Sequence, residues 1–155
     1  MTLGIIFAIV FVVIVFAVMI YNRLVRLRAL VKEAFSGITV QLRRRADLIP
    51  NLVETVKGYA SHEKATFEAI TAARGAASGA QGVAATAAAD AQMTGLIGRL
   101  FAVAEAYPEL RASENFQQLQ GEISSIETEL QSSRRYYNAT ARDLNTRVQS
   151  FPDML

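Results

Sequence analysis

The single histidine, His62, is followed at once by Glu63, which is how the His-Glu-x-x-His helix of zinc proteases begins. Thr66 stands where the second histidine would be, and the sequence has no cysteine. A catalytic zinc needs three protein ligands, so His62 is read as a capping or interhelical hydrogen-bonding group. Glu127 and Glu129 are a carboxylate pair of the kind that shares acid and base work, yet nothing places a cleft around them, and on a polar face such groups are solvated. Ala73–Ala84 carries Gly75, Gly79 and Gly82 but lacks the Gly-Lys-Ser/Thr ending and the preceding strand of a phosphate loop. Asn138-Ala139-Thr140 spells a glycosylation sequon, which a cytoplasmic helix does not use. These residues predict no catalytic centre, no cofactor and no metal: the expectation is a protein that is not an enzyme.

The element that positions everything else is Leu3 to Tyr21, unbroken by charge or proline. As a helix it spans roughly 28 Å, about the hydrocarbon thickness of a bilayer. Its many β-branched residues would favour a strand in water, but in lipid only a helix satisfies its own backbone. A cleaved signal peptide would show a basic leader and a small-residue cleavage site; only Met1 and Thr2 precede this run. Residues 1–21 are therefore read as one transmembrane anchor. Arg23, Arg26, Arg28 and Lys32 follow it with no basic residue before it, which predicts an N-terminus outside and a cytoplasmic body. Tyr21 and those four cations are the expected headgroup contacts.

Residues 22–155 have the size of one domain. Without tryptophan, cysteine or strand-forming runs, they predict an all-α fold: the anchor running into an antiparallel up-and-down bundle of three to four long helices. Basic charge collects between Tyr21 and Arg45, and the rest is net acidic. Juxtamembrane charge of this kind is explained by the bilayer, and no nucleic-acid partner is expected.

The first soluble helix carries the stripe Leu24, Leu27, Val31, Ala34/Phe35, Ile38, Leu42. Arg43, Arg44 and Arg45 lie too far from the bilayer to feel it and are expected to face solvent or pair with acidic groups of a neighbouring helix. Asp47 with Pro50 favours a new helix starting there. The alternative is one long helix kinked at Pro50, since the stripe resumes in register at Leu52/Val53 and Val56. Ala73–Ala84 reads as a flexible connection. A further helix covers about Ala85–Tyr107 and is closed by Pro108. The last helix starts near Ser113 and bears the strongest pattern: Phe116, Leu119, Ile123, Ile126 and Leu130, then Tyr137, Ala141, Leu144, Val148 and Phe151. Its first half is acidic and its second half basic, which suits the helix dipole. Tyr136, Tyr137 and Asn138 with Asp47 and Asn51 are candidates for a polar interhelical network that sets register, or for an outward recognition patch.

Several motifs together resemble the LemA family. They are Tyr21-Asn22-x-Leu24-Val25-x-Leu27-Arg28, Gln41-Leu42-x-Arg44-Arg45-x-Asp47-Leu48-Ile49-Pro50-Asn51-Leu52-Val53, and Lys57-Gly58-Tyr59-Ala60-x-His62-Glu63. To these are added Arg134-Arg135-Tyr136-Tyr137-Asn138, Arg142-Asp143-x-Asn145 and Phe151-Pro152. The resemblance implies one membrane helix, a short segment outside and a cytoplasmic antiparallel helical bundle; it implies no settled enzymatic activity. Leu144 stands where many members carry tyrosine, and Asp153-Met154-Leu155 replaces the aromatic tail that members often have.

The function expected from these readings is a membrane-anchored, self-associating helical scaffold that organises or remodels the bilayer. Its partners would be the bilayer and further copies of itself. The alternative is an adaptor or regulator of another membrane protein, a protease or signalling complex, without an assembly of its own. Arg43, Arg44, Arg45, Asp47, Asn51, Ile123, Ile126, Tyr137 and Asn138 are the expected bundle or assembly contacts.

Overall fold

The computed structural model describes residues 2–151, in which helices are the regular elements and no strand occurs. In chain order the elements are α1 (Thr2–Lys57), α2 (Lys64–Gly79), α3 (Gly82–Glu105), α4 (Pro108–Ala112) and α5 (Glu114–Gln149). Pro152 and Asp153-Met154-Leu155 lie outside the described residues.

The expected break at Asp47 is absent: α1 continues through Pro50 to Lys57. Proline removes the N–H that would bond the carbonyl four residues earlier, which is that of Ala46. Arg74 on α2 supplies the missing donor, its Nε reaching the Ala46 oxygen at 3.0 Å. The chain turns instead at Gly58–Glu63, after an α-helix closed by the bonds Gly58 N–H to Glu54 O and Ala60 N–H to Val56 O.

The expected loop over Ala73–Ala84 is also mostly helix. α2 runs to Gly79 and α3 begins at Gly82, so the connection is only Ala80–Gln81. Alanine is the best helix former, and Phe67, Ile70 and Ala73 give α2 a buried stripe that the glycines do not interrupt. Small side chains also let α2 and α3 approach closely, with Cα atoms within 8 Å across the pair. Gly82 has φ +79° and takes the turn into α3; Gly75 has ordinary helical backbone and open space where a methyl would go. Gly75→Ala is therefore expected to stabilise the fold by about 0.5–1 kcal/mol and Gly82→Ala to destabilise it by a similar amount or more. Thermal unfolding of the full chain in detergent, followed by far-ultraviolet circular dichroism, measures both. A flexible connection would leave both neutral.

The chain divides into two compact units. Gly37–Ser132 holds the end of α1, α2, α3, α4 and the start of α5. Its core gathers Ile49, Leu52, Val56, Ile70, Leu100 and Leu110 with Phe116, Leu119 and Ile123 of α5. Phe101 meets Phe116 edge-on, with ring centroids 6.0 Å apart. Arg44 meets Glu129 and Thr55 meets Asn115, so partners on α5 fall in number as those on α1 rise. The two segments are antiparallel.

The other unit is Met1–Ser36 with Ser133–Leu155. Phe35 packs on Tyr137 with ring centroids 5.8 Å apart. A half-buried stripe runs down α1 through Val31, Leu27, Leu24 and Ile20, and another along α5 through Tyr137, Ala141 and Leu144 beside the buried Thr140. Beyond the stripe, Val148 and Phe151 are exposed, against the expected continuation of the seam. The large apolar side chains from Leu3 to Met19 are all exposed, and α1 is the one described helix long and apolar enough to cross a membrane.

Candidate functional site

Consecutive helical residues are turned by about 100°, so three arginines in a row face three ways. Arg43 is exposed. Arg44 bonds Glu129 at 2.9 Å, with the two side chains 55% and 47% exposed; such a surface pair contributes at most about 1 kcal/mol. Arg45 turns inward and is only 2% exposed.

Arg45 joins three helices. Its Nη1 donates to Thr94 Oγ1 of α3 at 3.0 Å and to Glu127 Oε2 of α5 at 3.1 Å. Its Nη2 donates to the Asp90 carboxylate and to the Asp90 carbonyl. Asp90 is 8% exposed, while Glu127 reaches solvent. The Arg45 Nε–H is buried and meets no acceptor among the described residues. A buried arginine flanked by two carboxylates is worth little net against an apolar trio of the same volume. Its hydrogen bonds tie α1, α3 and α5 together in the arrangement seen.

Beside this network lies a cleft of about 450 Å³, lined by Arg43, Arg45, Asp47, Arg74, Thr86 and Asp90 among others. The Arg45 guanidinium is engaged by protein carboxylates and Arg74 Nε by the Ala46 carbonyl, which leaves Arg43 as the outward cation. The lining contains hydroxyls but no histidine. His62 sits exposed in the turn before α2, and no side chain caps that helix, which corrects the expected capping role. Among the described residues no group of three or more His, Cys, Asp or Glu is placed to hold a metal.

The other expected site residues fall as follows. Tyr21, Arg23, Arg26, Arg28 and Lys32 are exposed on α1. Ile123 and Ile126 are buried. Asp47 and Asn51 are exposed in one unit, Asn138 is exposed in the other, and Tyr137 is half-buried through its ring against Phe35. Among the described residues, Arg45, Asp90, Glu127 and Thr94 form a polar cluster that ties α1, α3 and α5 together. A signal for it was present in the sequence. Arg45 continues the series Ile38, Leu42, Arg45, Ile49, Leu52, Val56, and Asp90 the series Thr86, Asp90, Met93, Ile97, Leu100, each at steps of four and three.

The LemA family model matches residues 34–155, which include the whole of this network. The chain belongs to the LemA family. Protein LemA of Metamycoplasma hominis is 30% identical over 132 residues, or 84% of this chain. The chain spans 60% of that protein's length. The family match begins at Ala34, within α1, so in this LemA-family chain it covers the region of the buried arginine but not the apolar stretch Leu3–Tyr21. Membrane association is in keeping with the family and with the exposed apolar start of α1.

Proposed function

We propose that this chain is a single-pass membrane protein whose copies self-associate into a scaffold that organises the bilayer. The observation that carries the reading is the continuity of α1: one helix runs from Thr2 through the apolar stretch into the core at Ile49 and Val56 without a linker. A helix that is both anchor and core member transmits any lateral packing of the bodies to the lipid. In this reading the N-terminus lies outside, residues after Tyr21 are cytoplasmic, and the protein acts by binding and shape without chemistry of its own. The basic cluster Arg23, Arg26, Arg28 and Lys32 supports the orientation, since such charge is retained on the cytoplasmic side.

Light scattering and negative-stain imaging of the detergent-extracted full chain test the scaffold. Homogeneous particles of many copies are expected; monomers that enlarge only with another membrane protein would leave the adaptor reading in its place. For topology, Ser113→Cys gives the only thiol in the protein. It should resist an impermeant maleimide in intact cells and react after permeabilisation. Labelling of intact cells would reverse the orientation.

A further inference from the structure

The end of α5 returns to the level at which α1 leaves the apolar stretch. Within the unit Met1–Ser36 with Ser133–Leu155, Phe35 touches Tyr137. The half-burial of α1 continues from there down to Leu24 and Ile20. Within this unit only α5 beyond Tyr137 is long enough to cover those residues, so α5 descends as α1 ascends. Counting fourteen residues back from Phe35 reaches Tyr21, and fourteen forward from Tyr137 reaches Phe151. At the helical rise Tyr21 stands about 21 Å from the aromatic contact and Gln149, the last residue of α5, about 18 Å, with Phe151 two residues past it. Two exposed aromatics are thereby brought to one height, Tyr21 on α1 and Phe151, 78% exposed, just past α5.

Charge follows the same geometry. This unit holds eight basic and three acidic residues, whereas Gly37–Ser132 holds eight basic and eleven acidic. Nearest the aromatic level are Arg23 and Arg26 on α1 and Arg147 on α5, all exposed. Arg147 stands in the last turn of α5, four residues before Phe151. Arg142 and Asp143 stand farther up and are more strongly screened. An aromatic side chain four residues beyond an arginine, level with the end of a membrane-length apolar helix, has the make-up of an interfacial contact.

We infer that the C-terminal end of α5 is a second membrane contact, with Phe151 entering the headgroup layer and Arg147 pairing with anionic lipid phosphate. The inference rests on the proposed membrane insertion of α1 and deepens it by naming the lipid class and the residues. It holds this unit to the bilayer at two points. Anionic headgroups are required because the contact is made by an arginine whose neighbours Arg23 and Arg26 add to the positive field.

Single cysteines at Gln149→Cys and Phe11→Cys, each labelled with a nitrobenzoxadiazole dye in the full chain, test it in vesicles containing brominated lipid. One set is phosphatidylcholine alone, the other phosphatidylcholine mixed with phosphatidylglycerol. The label at position 11 should be quenched in both. The label at position 149 should be blue-shifted and quenched in the mixed vesicles and much less so in the neutral ones. Arg147→Gln should lower the docked-to-free ratio about fivefold in the mixed vesicles, and Arg147→Glu further. A label at position 149 that stays in water in both lipids, with position 11 quenched, overturns the second contact while the anchor stands. Equal quenching at 149 in both lipids, unaffected by Arg147→Glu, overturns the selectivity for anionic headgroups. An unquenched label at position 11 removes the anchor reading and this inference with it.

Discussion

Arg45→Ala is expected to lower the stability of the folded chain by about 3–5 kcal/mol, the scale for removing one partner of a buried ion pair. The loss has two parts. Asp90, at 8% exposure, loses the arginine that partners its carboxylate in a poorly solvated place. The space left by a large, 2% exposed side chain adds a cavity cost. Glu127 contributes less, since its side chain is one-third exposed and can turn to water. In thermal unfolding of the full chain in detergent, the midpoint should fall by on the order of 10 °C or more. Arg45→Lys should recover only part of the loss, because one ammonium cannot present a planar fork to Asp90, Glu127 and Thr94 together. Arg45→Met combined with Asp90→Leu should recover most of it, as paired apolar replacement removes both charges. If Arg45→Ala unfolds with the parent, the network has no role in holding α1, α3 and α5 in register.

Pro50→Ala is expected to act in the opposite direction, stabilising the fold by roughly 1–3 kcal/mol. An interior helical proline costs about 3 kcal/mol through its missing N–H and the clash of its ring with the carbonyl four residues back. Here Arg74 offsets part of that by donating to the Ala46 oxygen. Arg74→Ala should therefore cost about 1–2 kcal/mol while Pro50 is present, since it leaves a half-buried carbonyl without a donor. Once residue 50 has its own N–H to give, the same substitution should cost much less. A double-mutant cycle reads the difference directly as a coupling of about 1 kcal/mol. Additive effects would show that Arg74 is not repairing the gap that proline leaves.

Much of the architecture was legible in residue order. The apolar run from Leu3 to Tyr21 has one helical solution in lipid, and the 3-4 series from Phe116 to Leu130 has one buried face; both are properties of a single segment. The expected loop over Ala73–Ala84 went wrong because glycine propensity is a local term of about 1 kcal/mol, which the buried Phe67, Ile70 and Ala73 outweigh by packing. The expected break at Asp47 went wrong because the donor that rescues the Ala46 carbonyl comes from Arg74, on a different helix.

By itself, then, the sequence determined the all-helical class, the apolar start and the asymmetry of charge, because each depends on residue type and on spacing within one helix. Only the tertiary structure decided which of three adjacent arginines is buried, what completes its hydrogen bonds, and which aromatic of α5 packs on Phe35. Those answers depend on side chains dozens of residues apart, as Arg45 and Asp90 or Phe35 and Tyr137 are, and the free energy of placing them is set by the neighbour that packing supplies.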